Sequence, residues 1–144
     1  MRKAAFLGLA VFLAAATGTA AFTALGEQAQ ASGDRQAISY DKWLGAKESA
    51  QKNDRDGKYV VALQYYLEYT RQAAGLGRPG LVAWGKNNAA YMIIKMHRQD
   101  ATVDLAPAKR MLEEGLAIAE ATEECRKRLS MNLEHVRLLL RLPE

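Results

Sequence analysis

The residues of this sequence that most often carry chemistry are few and scattered. The chain has one cysteine, Cys125, and two histidines, His97 and His135. A structural zinc site takes four ligands, mostly Cys and His, so these three residues cannot complete one. The sequence also lacks a G-x-S-x-G nucleophile elbow, an H-E-x-x-H pair and a complete G-x-x-x-x-G-K-[ST] phosphate loop. We therefore expect no catalytic residues, no metal site and no cofactor.

The one cysteine leaves two possibilities open. Apolar residues at helical spacing around Cys125 favour a buried and inert thiol. The basic residues that follow it, from 126 to 128, would instead lower its pKa if it were exposed. In an oxidising compartment an exposed Cys125 could form an intermolecular disulfide.

The composition fits one globular domain. The chain has 144 residues and a mass of 15.9 kDa, which is the usual size of a single domain. Hydrophobic residues make up 49% and charged residues 25%, a profile that excludes an intrinsically disordered chain. The formal net charge is +4, but basic and acidic residues are interspersed, so we expect no nucleic-acid partner.

The amino terminus has the pattern of an export signal. Two basic residues, Arg2 and Lys3, precede an uncharged and largely apolar stretch at residues 4–26. Small residues at 29–31 form one A-x-A-like cleavage pattern, and those at 18–20 form an earlier one. Export to the bacterial periplasm or the medium is the expected outcome.

These features divide the chain into three parts. We predict a signal peptide at residues 1–31, a polar linker at 32–39 and a helical domain at 40–144. The uncharged stretch is also long enough to cross a bilayer of about 30 Å. The alternative is therefore a signal anchor at residues 4–26, with the remainder of the chain facing away from the cytoplasm.

The domain itself reads as helical throughout. From Tyr40 onward, apolar residues recur at spacings of three and four, and the alternation typical of strands is absent. Asp41 is the predicted N-cap of the first helix, and Thr122 or a neighbour begins the last. The predicted all-α domain has five helices, at about 41–52, 58–74, 81–97, 105–120 and 123–142.

Residues 57–66 have the form G-x-Y-x-x-A-L-x-x-Y. This pattern resembles the second helix of a tetratricopeptide repeat, and later segments resemble both helices of a second repeat. The resemblance implies a right-handed array of antiparallel helix pairs, an α-solenoid, with two degenerate repeats and a terminal helix. Its signature residues, which would have structural roles, are Gly57, Tyr59, Ala62, Leu63, Tyr66, Trp84, Ala90, Tyr91, Ala108, Leu112 and Gly115.

Proteins of this family usually bind a peptide or a partner's helix in the concave groove lined by the first helix of each pair. The resemblance implies the same for this chain, as a non-catalytic scaffold for a protein or peptide partner. Its cationic side chains would attract an acidic or carboxylate-ended peptide. The residues that this register predicts in the groove are Lys47, Gln51, Asp54, Lys86, Ala89, Arg128 and Met131.

Two further interpretations remain open at this stage. The tail of the last helix, residues 136–142, is apolar almost all round, so the chain could self-associate there as a membrane-anchored component of an envelope complex. A small helical enzyme or cofactor carrier would need convergent polar groups in its core. The only candidates for such groups are Asn87, Asn88, Asn132 and His135.

Overall fold

The computed structural model describes residues 37–141. The predicted signal sequence and residues 32–36 of the predicted linker lie outside the described residues. The described part contains five α-helices and no strand, which confirms the all-α prediction. The helices are α1 (Tyr40–Arg55), α2 (Tyr59–Gly75), α3 (Pro79–Gln99), α4 (Ala106–Leu116) and α5 (Glu123–Leu139). None of the helices within residues 37–141 has the length and apolar character needed to cross a bilayer.

Two short turns with a central glycine join the first three helices. Gly57 and Gly77 have φ angles of 72° and 65°, a left-handed conformation that glycine adopts without steric cost. Pro79 and Gly80 fall between the second and third predicted helices, but they form the first turn of α3. Proline is well suited to that position, because its missing N–H would have no partner within the helix. The third helix therefore begins two residues earlier than predicted.

The N-caps follow the usual chemistry, although one prediction was wrong. Ser39, rather than Asp41, caps α1, because its Oγ accepts a hydrogen bond of 3.2 Å from the Lys42 amide. Thr122 caps α5 as predicted, and its Oγ1 accepts from the Cys125 amide at 3.2 Å. The difference at α1 moves the helix start to Tyr40.

A buried glutamine fixes the segment before α1 on the end of α2. Gln72 has no exposed surface. Its Oε1 accepts from the Ser39 amide at 2.9 Å, and its Nε2 donates to Glu68 at 2.8 Å. Arg71 makes a two-point contact with the same carboxylate, which holds the pKa of Glu68 below its ordinary value. Both the oxygen and the nitrogen of the Gln72 side-chain amide therefore have hydrogen-bond partners. The sequence around Gln72 did not predict these bonds.

Consecutive helices pack antiparallel. Near the start of α1, the ring of Trp43 lies 5.3 Å from that of Tyr69, which is near the end of α2. Likewise Lys86, in the first half of α3, forms a 2.5 Å ion pair with Glu114 near the end of α4. Gly85, early in α3, is close to Tyr69 and Thr70 of α2, and Gly115, late in α4, is close to Leu129 in the first half of α5. The odd-numbered helices therefore run parallel to one another.

Side-chain contacts also join the odd-numbered helices directly. Lys95 Nζ lies 2.6 Å from Asp54 Oδ1, which links the last turns of α1 and α3. Asn132 of α5 donates to Asn87 of α3 at 3.0 Å. As a result α3 is the central helix, packed against α2, α4 and α5 and bonded to α1.

Small residues lie where the helices approach most closely. Ala50, Ala62 and Ala89 are fully buried together with Tyr66 and Met92 between α1, α2 and α3. A larger cluster of branched apolar side chains joins α3, α4 and α5. Among the signature residues predicted from the sequence, those with no exposed surface are Ala62, Ala90, Ala108 and Leu112.

Candidate functional site

A groove of about 650 Å³ lies between α3 and α5. Its volume is within the range of ligand-binding clefts. We call it the α3–α5 groove. It is lined by Trp84, Asn87, Asn88, Tyr91, Glu124, Lys127, Arg128, Met131 and Asn132.

The α3 wall combines aromatic and amide side chains. Trp84, Asn88 and Tyr91 are spaced by four and three residues, so they lie on one face of the helix. Both rings are only partly buried. A partner side chain could therefore pack on a rigid aromatic surface at this wall.

Three asparagines form a hydrogen-bonded chain at the base of the groove. Asn132 Nδ2 donates to Asn87 Oδ1 at 3.0 Å, and Asn87 Nδ2 donates to Asn88 Oδ1 at 3.2 Å. Asn87 is 4% exposed, and this pairing satisfies both ends of its buried amide. The NH₂ group of Asn88 and the side-chain oxygen of Asn132 are the two ends of this hydrogen-bonded series. Neither makes a further hydrogen bond among the described residues.

The α5 wall is cationic and partly apolar. Met131 is 63% exposed, although Met is a residue type that usually lies inside. Arg128 Nη2 lies 3.5 Å from Glu124 on the solvated surface, a pair that contributes little to stability and leaves the guanidinium free to turn to another carboxylate. Lys127 forms no ion pair within the described part of the chain.

One end of the α3 wall is fixed by a partly buried cation. Lys95 Nζ lies 4.9 Å from the ring centre of Tyr91 and 5.2 Å from that of Tyr59, and it is paired with Asp54. These contacts satisfy the ammonium group and hold the Tyr91 ring against α2 and α1. Lys95 is therefore a positioning residue for the aromatic wall.

The structure does not bring the seven predicted groove residues together. Arg128 and Met131 line the α3–α5 groove. Lys86 and Ala89 line a separate cleft between α2, α3 and α4, where Ala89 has no exposed surface. Successive residues of a helix are rotated by about 100° around its axis, so neighbouring residues point in different directions. The sequence prediction assigned Lys86 and Ala89 to the groove, but they lie on the face of α3 next to the one that meets α5.

The three predicted residues of α1 share one face but do not reach the α3–α5 groove. Lys47 Nζ lies 5.6 Å from the ring of Trp43, and Gln51 is exposed. Asp54 is engaged by Lys95. The α1 face therefore offers one exposed amide and one partly buried cation.

The sequence reasoning missed most of the groove lining. The signal that could have found it is the pair Asn87 and Asn88, two amides in the middle of an otherwise apolar helix. A polar residue on the apolar side of a helix needs a hydrogen-bond partner when it is buried. Asn132 had been named only as a candidate polar group of a helical core, and Lys127 carried no comparable signal, because α5 is polar over much of its surface.

The cysteine and the two histidines are buried or hydrogen-bonded to neighbouring residues. Cys125 has no exposed surface, which confirms its predicted burial and leaves no thiol available for a disulfide. His97 Nδ1 donates to the Val103 carbonyl at 2.8 Å, and His135 Nε2 accepts from Arg98 at 3.2 Å. Within residues 37–141, no three His, Cys, Asp or Glu side chains are grouped so as to hold a metal ion.

We expect Cys125 to resist alkylation in the folded protein. Burial raises the pKa of its thiol, so the reactive thiolate is scarce, and the reagent must wait for α5 to open. Labelling by iodoacetamide at pH 8, followed by intact mass, should be at least about 1,000-fold slower than in guanidinium chloride. Rapid labelling of the folded chain would contradict the buried position.

Residues 80–86 have the glycine and lysine spacing of a phosphate loop, but they do not form one. Asn87 stands where a phosphate loop has Ser or Thr. The whole segment lies inside α3, where the backbone N–H groups beyond the first turn are used by the helix itself. A phosphate would need these groups in an open loop at a helix N-terminus.

Comparisons of this chain with protein-family models, with curated proteins and with solved structures find no match. The geometry of the α3–α5 groove is therefore the observation from which a function can be argued.

Proposed function

We propose that the chain is a non-catalytic scaffold, similar to tetratricopeptide proteins, that binds a protein or peptide in the α3–α5 groove. The antiparallel packing of consecutive helices supports this proposal. It places the odd-numbered helices next to one another, as in the groove of a tetratricopeptide array. Three of the signature residues, Gly57, Ala62 and Ala90, occupy a turn and close helix contacts, as the resemblance requires. The groove lies between two of the odd-numbered helices.

The observation that carries the proposal is the asparagine chain. Its two ends offer the groove one amide donor, on Asn88, and one carbonyl acceptor, on Asn132. A peptide unit has the complementary pair, a carbonyl that accepts and an N–H that donates. Main-chain contacts of this kind hold a peptide regardless of its sequence, while side-chain contacts supply specificity.

The specificity that we propose is for acidic or carboxylate-ended segments with an apolar side chain. Lys127 and Arg128 supply positive charge beside the asparagine chain, and Arg128 can make a two-point contact with a carboxylate. Met131 and the ring of Tyr91 lie on opposite walls and could enclose an apolar side chain.

The proposal includes the compartment that the sequence suggests. In it, the chain is exported and works in the bacterial periplasm or outside the cell, and the alternative is an anchored form that keeps residues 4–26. The mass of the chain recovered from its native envelope separates the two. Loss of an amino-terminal segment would favour the exported form.

The test is selection of ligands from a library of random peptides with free carboxyl termini. We expect selected peptides to be acidic and to bind less well as salt rises. Binding measured by fluorescence anisotropy should weaken about 10-fold or more in Asn88→Ala and in Arg128→Glu, since each loses a hydrogen bond or a charge contact with the ligand.

Lys86→Glu is the matched control. It makes the same change of charge as Arg128→Glu, from a cation to a carboxylate. The Lys86 side chain, however, lies in the cleft between α2, α3 and α4 and not in the α3–α5 groove. Equal loss in Lys86→Glu and Arg128→Glu would indicate a non-specific effect of charge. Unchanged binding in both Asn88→Ala and Arg128→Glu would contradict the groove assignment.

A further inference from the structure

One exposed methionine lies on the α5 wall of the α3–α5 groove. Met131 is the most exposed of the large apolar side chains within residues 37–141. The other methionines of this part of the chain are better protected, since Met92 is 1% exposed and Met96 and Met111 are partly buried. An oxidant in solution therefore reaches the sulfur of Met131 more readily than the sulfurs of these three.

The core does not depend on this side chain. The residues of α5 that are buried in the core lie on another face of the helix, and they are Cys125, Leu129, Leu133 and Val136. Met131 belongs to none of the three buried clusters within residues 37–141. A chemical change confined to the Met131 side chain should therefore alter the groove and leave the helices in place.

Met131 lies between two parts of the proposed peptide site. Met131 and Tyr91 line opposite walls of the groove. Lys127 and Arg128 precede Met131 by four and three residues, the spacings at which side chains on a helix are neighbours. Because side chains of a helix are tilted toward its N-terminus, the Met131 side chain leans toward these two cations. Its sulfur is therefore close both to the proposed apolar contact and to the proposed charge contact with a ligand.

A peroxide converts the thioether of methionine into a polar sulfoxide. The sulfur lone pair attacks one oxygen of hydrogen peroxide and forms an S–O bond while the O–O bond breaks. The proton of the transferred hydroxyl group passes to the departing oxygen, which leaves as water. The sulfur is oxidised by two electrons and the peroxide is reduced by two. Methionine sulfoxide reductases reverse the change, with one enzyme class for each epimer of the sulfoxide.

A sulfoxide at Met131 would oppose ligand binding in two ways. Its oxygen accepts hydrogen bonds strongly, so an apolar ligand side chain packed on it would bury a polar group without a partner. The same oxygen can instead accept from Lys127 or Arg128, and the ligand carboxylate then loses one of its donors. Both effects weaken binding of the same ligand.

We propose that Met131 is a site of reversible oxidation by hydroperoxides, and that its sulfoxide releases the peptide from the α3–α5 groove. This inference rests on the proposed function, because it concerns the ligand of the same groove. A leucine at this position would offer a similar apolar contact without the oxidisable sulfur. The thioether therefore makes the affinity of the groove dependent on peroxide.

Peptide mapping by mass spectrometry tests the site itself. The full-length chain is treated with hydrogen peroxide, and samples are taken over time. Among the methionines at 92, 96, 111 and 131, Met131 should be the first to gain one oxygen atom, with no change in the circular dichroism spectrum. Oxidation of Met96 or Met111 before Met131, or loss of helix together with oxidation of Met131, would overturn the proposal.

Fluorescence anisotropy tests the effect on binding. The probe is a labelled acidic peptide with an apolar side chain, selected from the random library by the untreated protein. Peroxide treatment of the wild-type chain should weaken binding about tenfold or more. Treatment with both classes of methionine sulfoxide reductase and a thiol reductant should restore it.

Two variants assign the effect to one sulfur, and each is compared with itself before and after peroxide. Met131→Leu should have the same affinity before and after treatment, whatever that affinity is. Met111→Leu is the matched control, because it also removes one methionine but lies outside the α3–α5 groove and keeps Met131. It should lose as much affinity on treatment as the wild-type chain.

The outcomes separate this proposal from the proposed function. If the untreated chain binds the peptide and the peroxide-treated chain binds it equally well, the groove assignment stands and the oxidation proposal is wrong. Equal loss in the wild-type chain and in Met131→Leu would place the effect at another residue and would also overturn it. If the untreated chain selects no peptide at all, the proposed function fails, and the oxidation proposal fails with it.

Discussion

Replacing Gly85 by leucine should lower the free energy of unfolding by about 3 kcal/mol or more. Gly85 lies where α3 crosses the end of α2. A Cβ atom there would lie 2.8 Å from Cδ1 of Tyr69 and would overlap the side chain of Thr70. Neither neighbour can move easily, because Tyr69 is buried against Trp43 and Thr70 is hydrogen-bonded to the Tyr66 carbonyl.

Gly45→Leu is the control for this substitution. Gly45 is also inside a helix, but a Cβ atom there meets nothing within 4 Å. Replacement of this glycine should stabilise the chain slightly, because glycine costs about 0.5–1 kcal/mol inside a helix. Urea unfolding followed by circular dichroism measures both variants. A Gly85→Leu protein as stable as the wild type would show that α2 and α3 are not in close contact.

Arg126→Met should lower the free energy of unfolding by about 3 kcal/mol, because one guanidinium holds the whole turn between α4 and α5. Its Nη2 donates to the carbonyls of Ile118 and Ala119 at 2.8 and 3.0 Å. Its Nη1 donates to Leu116 at 3.1 Å and its Nε to Ala121 at 3.2 Å. Without these bonds, four carbonyl groups of the turn lose their charged donor.

Arg126→Lys should recover only part of this loss. Lysine keeps the charge but has a single nitrogen, which cannot reach four carbonyls that surround a planar guanidinium. Lys127→Met is the surface control, since Lys127 is exposed and its removal should change stability by less than about 0.5 kcal/mol. Equal midpoints for Arg126→Met and Lys127→Met in urea would contradict the role given to Arg126.

The turn at Arg126 also explains why α4 is shorter than predicted. The apolar pattern continued to about residue 120, but α4 ends at Leu116. The carbonyls of residues 116, 118, 119 and 121 turn toward the guanidinium instead of continuing a helix. Because α5 begins directly after this turn, Arg126 also fixes the position of the α5 wall of the groove.

The sequence by itself determined the fold class and most of the helices. Spacings of three and four residues predicted α2 to within one residue at each end, and the N-cap at Thr122 was correct. It also favoured the burial of Cys125, which has no exposed surface. These features depend on contacts within a few residues along the chain, where local periodicity and capping chemistry are sufficient.

Only the tertiary structure decided which face of α3 borders the groove. Because α3 is packed on three sides, against α2, α4 and α5, its buried residues cover most of its circumference and its periodicity selects no single face. The predicted register therefore gave Lys86 and Ala89, whereas Asn87, Asn88 and Tyr91 line the groove. The pairing of Asn87 with Asn132 joins residues 45 positions apart, and no local pattern specifies such a contact.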